Sequence, residues 1–536
     1  MYDTINLDGF SQIFYSNNMV QEKYQPRPDD KLGKIPTASK ENIIQNKSEI
    51  SHVENSPVGT NNTPSDENYP FHDYSGNSEE EEFVYTPKLG SQSKKLLRVL
   101  VMVITFIAIL VPLIYLLTKL KPGDGKNIGV SGEIVWWGLG YTKDVVQPLI
   151  DEYVKENPNS KITFIEESPT DYRERLANSL SQGKGPDVLT IHNSWVPMFR
   201  EALDIMPREF MTYDDFARTY YPVAVGDLTT GSGIVGVPLE YDGLTLYINE
   251  SIFSTAGKIP PRTWDQFRQL AGELTTRNDK GIIIQSGSSV GITQNVDYWP
   301  EIVGLLMYQN KANLYKPAGT DAAQAEEAIS FYSDFSAFDK VWDTTLPRST
   351  EAFAEGKVAM YFGPARAIDT INKFNRNLNF KTIPIPQVRR NDPTEPDVSY
   401  ASYWVEGVWN KSADKELAWD LLKFLSQPES LEKMFNNSAK AGVIGKPYPR
   451  IDMRDKLIND AVLGSIVALA PNAKSWYLAG GTNDGATGLN SLLAEVYKKG
   501  VDTLVATKNR KAAKNVVETI SSEAEKVYAK FGIGPR

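Results

Sequence analysis

The 536-residue sequence contains no cysteine. This absence excludes disulfide bridges, thiolate metal sites and a cysteine nucleophile. It also excludes the lipid-modified N-terminal cysteine that holds many bacterial surface proteins at the membrane. If the chain is held at a surface, a segment of the polypeptide itself must therefore be the anchor.

Histidine is scarce, with three residues in the chain: His52, His72 and His192. The segment Gly287–Gly291 matches the G-x-S-x-G pattern of hydrolases, whose histidine base follows the serine in the chain. No histidine follows Ser289, which argues against serine hydrolysis. Because cysteine is absent as well, the composition also disfavours a transition-metal site.

Other enzyme patterns are incomplete. No G-x-x-x-x-G-K-[ST] loop occurs, so the chain lacks that route to nucleotide hydrolysis. A glycosidase would need two opposed carboxylates in one cleft, and the sequence does not give the separation of any pair. Calcium on a carboxylate loop near Asn483–Asp484 has no further support in the sequence. The carboxylates that would be candidates for a glycosidase pair are Glu166, Asp187, Asp242 and Glu406.

A long basic segment is missing too. Residues 1–93 hold 7 Lys/Arg against 15 Asp/Glu, which gives −8 of the net charge of −10. The remaining 50 Lys/Arg against 52 Asp/Glu leave only −2 for the rest of the chain, which argues against nucleic-acid binding. Since residues 1–93 are polar, with apolar residues scattered singly, we expect a disordered acidic arm.

One long apolar run is present, Val99–Thr118, with no charge among its twenty residues. At about 1.5 Å per residue, a helix of this length spans roughly 30 Å, the thickness of a bilayer's hydrocarbon core. We expect a transmembrane helix over 96–120 and a linker over 121–132. No small-x-small cleavage signal follows the run, and the region before it is too long for a signal peptide. The helix would then be an uncleaved, single-pass anchor.

Strand and helix patterns alternate after the linker. Buried strands are expected at Glu133–Trp137, Lys161–Glu166 and Asp187–Ile191, and helices at Thr142–Asn157 and Tyr172–Gln182. This order predicts a parallel sheet covered by helices, whose ligands gather beyond the carboxyl ends of the strands. The groups at those ends are Trp136–Trp137, Glu166–Glu167 and His192–Trp195.

Eight segments follow one another over about residues 133–445: GEIVWWG, LIDEYVKENPNSKITFIE, DYRERLANSLSQGKGPDVLTIHNSW, GVPLEYDGLTLYINESIF, PPRTWDQF, AFAEGKVAMYFGPA, LNFKTIPIPQ and AWDLLKFLSQPES. In this order they resemble the extracellular solute-binding proteins of ABC transporters, in the carbohydrate-binding branch that includes maltose-binding protein. The family is normally secreted or lipid-anchored, so the apolar run and the long acidic arm depart from its pattern.

The resemblance implies an α/β, two-lobed periplasmic-binding-protein-like fold (type II) over residues 133–536. The implied first lobe covers about 133–240 and 399–445, and the second about 241–398 and 446–536. Because such domains face outward, the resemblance also implies a cytoplasmic arm and a large extracytoplasmic domain. The implied crossing segments between the lobes are Leu239–Gly243, Pro396–Ser399 and Gly442–Lys446.

A sugar offers apolar C–H faces edged by hydroxyls, so its site needs aromatic plates with hydrogen-bonding groups at the rim. Structural alternatives stay open: Asp242 as a turn residue, Glu406 and Arg366 as an ion pair, and Trp137 as core. On the chemistry and the resemblance together, the expected ligand-binding residues are Trp137, Asn193, Trp195, Tyr241, Asp242, Trp299, Arg366, Trp404, Glu406 and Trp476.

We therefore expect a monomeric, membrane-anchored solute-binding protein that captures a sugar or oligosaccharide and delivers it to an ABC permease. It would be no enzyme and would need no cofactor and no metal. Two alternatives keep the fold: a sensor or surface adhesin that signals through the arm, or transport of a non-sugar polar solute such as a peptide or polyamine. Acidic clusters without aromatic plates would favour a cation, whereas stacked tryptophans with mixed polar groups would favour a sugar.

Overall fold

The computed structural model describes residues 99–111, 130–389, 392 and 394–534. The predicted arm 1–93, most of the linker and residues 96–98 and 112–120 of the predicted span lie outside the described residues. Residues 99–111 are helical and belong to a unit separate from the large domain. Within the described part of the chain, no helix combines the length and the apolar character needed to cross a membrane.

A four-stranded sheet opens the large domain. Its strands are β1 (Gly132–Gly138), β2 (Ser160–Glu166), β3 (Val188–His192) and β11 (Trp404–Val408), in the order β2-β1-β3-β11. The first three strands are parallel, as predicted, and β11 runs antiparallel to β3. Two helices, α1 (Lys143–Glu156) and α2 (Tyr172–Ser181), form the crossovers between the parallel strands.

Helix α1 shows why the sequence folds in this way. Val145, Leu149 and Tyr153 recur at helical spacing and are buried in the core of this sheet. Burying one such side chain contributes about 1.5–3 kcal/mol. The helix ends at Glu156, because the next residue, Asn157, precedes Pro158 and a residue before proline is disfavoured in the helical conformation.

The four-stranded sheet and the hydrophobic core around it form what we call the first lobe. Its remaining elements are α3 (Val196–Phe199), α4 (Tyr213–Thr219), α5 (Pro222–Leu228), the hairpin of β4 (Thr229–Thr230) and β5 (Gly233–Ile234), α12 (Lys415–Leu425) and α13 (Pro428–Lys440). Trp419 of α12 is buried in this core, as its position on an amphipathic helix indicates.

A five-stranded sheet and a second hydrophobic core form the second lobe. Its strands are β6 (Thr245–Asn249), β7 (Thr276–Arg277), β8 (Ile283–Ser288), β9 (Val358–Gly363) and β10 (Phe380–Ile383), in the order β10-β6-β9-β8-β7. Its helices are α6 (Glu250–Ala256), α7 (Trp264–Glu273), α8 (Trp299–Gln309), α9 (Ala322–Ala337), α10 (Ser349–Ala354), α11 (Ala367–Phe374), α15 (Leu489–Thr507) and α16 (Ala513–Lys530). Helix α14 (Gly464–Leu469) lies where the two cores meet.

The chain passes between the two cores three times. The first two passages, at Tyr241–Leu244 and at Tyr400–Ala401, lie at or next to predicted crossings. The third differs from the prediction: apart from Leu469, the core residues from Tyr448 to Ala473 pack into the first core, and those from Trp476 onward pack into the second. The expected second-lobe range 446–536 is therefore divided between the lobes. Helical periodicity marks a buried face but does not say which core receives it.

Candidate ligand-binding cleft

The end of β3 reaches the boundary between the lobes. The imidazole of His192 is buried, with Nδ1 2.7 Å from Ser194 Oγ and Nε2 3.1 Å from Ser402 Oγ in the second passage. Burial and the nearby positive charge of Arg366 hold the pKa of His192 well below its usual range. His192 is therefore neutral near pH 7 and acts as a hydrogen-bonding bridge.

Asp242 lies in the first passage and is 1% exposed. Its Oδ1 accepts hydrogen bonds from the backbone N–H groups of Gly243 (2.8 Å) and Ala365 (2.7 Å), and its Oδ2 accepts one from that of Arg366 (3.2 Å). The Arg366 guanidinium lies 3.6 Å from Oδ2. Asp242 thus joins the first passage to the turn before α11. It bonds within its own turn, as the turn-residue alternative expects, and it also bonds to this second segment.

Two further carboxyl groups are buried beside the same passage. Glu240 Oε1 lies 3.4 Å from the backbone nitrogen of Trp404, and Glu406 Oε1 accepts a hydrogen bond from Thr190 Oγ1 at 3.2 Å. Glu406 Oε2 has no hydrogen-bond partner among the described residues. Burial raises the pKa of both carboxyl groups, and the charge of Glu240 raises that of Glu406 further. The hydroxyl-bearing ring of Tyr141 is buried beside both, where burial and the two carboxylates raise its pKa.

Arg366 faces this cluster from the second lobe. Its Nη1 donates to the carbonyl oxygen of Ser402 at 3.1 Å, and its Cζ lies 5.7 Å from the centroid of the Tyr298 ring. The side chain keeps 21% of its surface exposed. The expected ion pair with Glu406 is not formed, because Arg366 pairs with Asp242 and Glu406 bonds to Thr190.

Trp404 lies beside these polar groups, with its backbone nitrogen 3.4 Å from Glu240 Oε1. It is partly exposed and meets the rings of His192 and Trp195 edge-on, with centroids 5.1 and 5.3 Å apart. Trp137 is also partly exposed, but strand alternation places it on the opposite face of the sheet from Trp404.

The other expected site residues are buried within the lobes. Trp195 is 0% exposed and packs on Phe199 in the first core. Trp476 and Trp299 belong to the second core, and Trp476 Nε1 donates to the hydroxyl of Tyr528 at 2.9 Å. The structure therefore does not bring these three indole rings together as a stack.

Two expected polar candidates lie in a buried network. Asn193 donates to Asp227 Oδ2 at 2.8 Å, and its Oδ1 accepts from the backbone N–H of Tyr403 at 3.2 Å. Tyr241 packs against Tyr221 and Tyr403, with ring centroids 5.0 and 6.0 Å apart. Both residues support the passage between the lobes.

Sequence reasoning missed five groups that lie close to the cluster: Tyr141, Glu240, Tyr298, Glu301 and Lys446. Glu301 is buried at the start of α8 and accepts a hydrogen bond from the N–H of Gly480 at 2.8 Å. Burial raises its pKa to about 7. The positive charge of Lys446 opposes the effect of burial on the pKa of Glu240. Glu240 could have been predicted from the sequence, because it stands two residues before Asp242 in the segment GVPLEYDGLTLYINESIF.

The loop that holds Asn483 and Asp484 has a structural role. Asp484 is buried, and its carboxylate accepts hydrogen bonds from the backbone N–H groups of Asn490 (2.7 Å) and Ser491 (3.1 Å) and from Ser491 Oγ (2.5 Å). The carboxylate therefore caps α15.

Two α/β lobes, three chain passages and a polar cluster shared by both lobes define a two-lobed binding protein. Residues 140–432 match the model of the bacterial extracellular solute-binding protein family. Because this match spans more than half of the chain, the protein belongs to that family. The expected resemblance is confirmed.

Individual relatives are distant. The putative ABC transporter periplasmic-binding protein YcjN of Escherichia coli K12 is 22% identical over 225 residues, which are 40% of this chain and 51% of YcjN. The chain thus spans about half the length of this curated relative.

Solved structures show the same fold. A solute-binding protein from Thermotoga lettingae bound to α-D-tagatose superposes with a TM-score of 0.56 at 19% identity, over 74% of this chain and 100% of that one. The sugar-binding protein MalE of Xanthomonas citri gives 0.59 at 18% identity, over 74% and 98%. The Listeria monocytogenes protein Lmo0181, in complex with cycloalternan, gives 0.56 at 14% identity, over 75% and 100%.

Proposed function

We propose that this protein captures a sugar between its two lobes, at the cluster formed by Trp404, Glu240, Glu406, Tyr141 and Arg366. The observation that carries the proposal is that one partly exposed indole, Trp404, lies near hydrogen-bonding groups from both lobes. An indole face packs on apolar C–H groups, and the carboxyl and guanidinium groups would bind the hydroxyls at the ring edge.

The charges of the cluster favour a neutral ligand over a cation. The acidic groups Glu240, Asp242 and Glu406 are accompanied by Arg366, which pairs with Asp242, and by Lys446, which acts on Glu240. A raised pKa also lets a carboxyl group donate as well as accept a hydrogen bond, which suits a hydroxyl. The sugars bound by proteins of similar fold support the same ligand class.

We further propose that the helix over 99–118 anchors the protein, with the arm 1–93 in the cytoplasm and the large domain outside, and that a loaded domain delivers its sugar to an ABC permease. The support is the uncharged apolar run, together with the family's extracellular character. Alkaline extraction of membranes tests the anchor. The full chain should stay in the pellet and a chain lacking residues 99–118 should be released; release of both would contradict the anchor.

A thermal-shift panel tests ligand capture. The full chain is heated with mono- and oligosaccharides, amino acids, peptides and polyamines. A ligand that binds only the folded protein stabilises it by about 2.7 kcal/mol at a hundredfold excess over Kd. We expect a shift with one class of sugar, lost in Trp404→Ala and reduced in Glu240→Gln.

Tyr213→Ala serves as the control, because it removes an exposed aromatic ring of the first lobe away from the cluster. This variant should keep the full shift. A shift with polyamines or peptides alone would overturn the sugar assignment, and an equal shift in wild type and Trp404→Ala would overturn the proposed site.

A further inference from the structure

The loop over residues 478–488 is anchored to the second lobe at both ends. Near its start, the N–H of Gly480 donates to Glu301 Oε1 at 2.8 Å. Near its end, the buried carboxylate of Asp484 caps α15 through Asn490 and Ser491. Between these points, Gly481 lies against the Arg366 guanidinium. The loop therefore follows the second-lobe side of the proposed cleft.

Helix α2 of the first lobe reaches across to this loop. Arg173 Nε donates to the carbonyl oxygen of Asp484 at 2.7 Å, and Arg173 Nη2 donates to Thr487 Oγ1 at 2.7 Å. The Arg173 side chain is 14% exposed; its bond to Asp484 is partly buried, whereas its bond to Thr487 lies at the surface. These two bonds join the lobes at a point that is separate from the three chain passages.

The neighbouring residue of α2 fits the loop closely. Glu174 lies so near Gly485 that a Cβ on this glycine would come within 1.6 Å of Glu174 Oε1. Gly485 also has φ of +73°, a conformation that residues with a Cβ rarely adopt. The positive φ therefore favours a glycine at this position, and a larger residue would also displace the Glu174 carboxylate.

We propose that the loop 478–488 is a latch, held to the first lobe by Arg173, and that the lobes separate only when the two Arg173 bonds break. Since ligand must enter and leave between the lobes, the latch sets the population of open molecules and hence the rate of exchange. The inference goes beyond sugar capture, because it concerns the movement of the lobes whatever the ligand is.

The absence of cysteine makes a direct test possible. The substitutions Gln182→Cys, directly after α2, and Thr344→Cys, in the second lobe, are at exposed residues and would carry the only spin labels in the full chain. Pulsed electron–electron double resonance then measures the distribution of distances between the two labels in the absence of any ligand. The parent should show one short distance.

Arg173→Gln should add a longer distance, with about a tenfold rise in the ratio of open to closed molecules, because hydrogen bonds to a charged group contribute on this scale. Thr487→Val removes one of the two bonds from an exposed position and should give a smaller rise in the same direction. If Arg173→Gln does not fold, Thr487→Val still tests the latch.

Arg175→Gln is the matched control. Arg175 lies on the same helix but bonds to Glu167 and to the carbonyl oxygen of Ser168, both in the first lobe. This variant should reproduce the parental distribution. Parental distributions in Arg173→Gln and Thr487→Val, or a parent that is already open, would overturn the latch. Because no sugar is present, failure of the sugar proposal leaves this result unaffected.

Discussion

At the scale of single residues, buried carboxyl groups distinguish this cleft. Asp242 uses both oxygens on backbone N–H groups, whereas Glu406 keeps one oxygen without a partner in the described part of the chain. Glu301 also has one oxygen without a partner among the described residues, and backbone N–H groups together with the charge of Arg366 only partly oppose the effect of burial on its pKa. The same carboxyl group thus connects two segments at Asp242, keeps an unpaired acceptor oxygen among the described residues at Glu406, and titrates near neutrality at Glu301.

Glu301 should make stability depend on pH. Its pKa is about 7 in the folded protein, above the ordinary value of 4.5, so the folded state holds a proton that the unfolded chain releases between these values. The resulting stabilisation is full below about pH 4.5 and is lost as the pH rises through 7, a change of about 3 kcal/mol. Glu301→Gln should remove this part of the pH dependence.

Urea unfolding at pH 5 and pH 8, followed by tryptophan fluorescence, measures the effect. The loss of unfolding free energy between the two pH values should be smaller in Glu301→Gln than in wild type. The control Glu209→Gln, at an exposed residue, should behave like wild type. An unchanged pH dependence in Glu301→Gln would contradict the assignment.

Residue types and motif positions indicated part of the proposed site. The sequence singled out Asp242, Arg366 and Trp404, which the structure brings to one boundary between the lobes. It gave no means to see that Trp195 and Trp476 face the cores, because a tryptophan at a strand end or in a loop has the same pattern whether it faces inward or outward. Tyr141 and Glu301 were missed because only folding places them beside the cluster.

At the scale of elements, local patterns predicted bounds well. The strand expected at Glu133–Trp137 is Gly132–Gly138, and the helix expected at Thr142–Asn157 is Lys143–Glu156. Residues 446–473 were expected in the second lobe, but most of their core residues pack in the first, since their 3₁₀ turns and short helix carry no signal for one core over the other. Local residue spacing shows which face of an element is buried. Contacts with distant parts of the chain decide which of the two cores that face joins.

The cap of α15 gives an element-scale prediction. Asp484→Ala removes the acceptor for two backbone N–H groups and one hydroxyl, all partly or fully buried. Losing such a cap and leaving buried donors unpaired should lower the free energy of unfolding by about 2–3 kcal/mol. Chemical denaturation monitored by circular dichroism measures the change.

Asp321 offers the comparison for this variant. It is the N-cap residue directly before α9, whereas Asp484 lies five residues before Leu489, and the Asp321 side chain makes no capping hydrogen bond. Asp321→Ala should therefore change stability by less than about 0.5 kcal/mol. Equal losses in both variants would show that the Asp484 contacts do not stabilise α15.

At the scale of the whole molecule, the large domain consists of two cores that meet along a polar boundary, and the proposed capture of a ligand depends on both. Each lobe buries its own sheet, so the lobes can move as units about the three passages, while the boundary is held by separate polar contacts such as Arg366 to Ser402 and Ser194 to Asn490. Binding energy from a ligand at this boundary would favour the closed arrangement without any chemical step.

Calorimetric titration of the full chain, with the sugar that the thermal panel identifies, tests capture between the lobes most directly. We expect one binding site per chain, with affinity at least tenfold weaker in Trp404→Ala and unchanged in Tyr213→Ala. A sugar that binds with wild-type affinity to Trp404→Ala, or heats of binding that arise from non-sugar solutes alone, would contradict the proposed cleft and its ligand class.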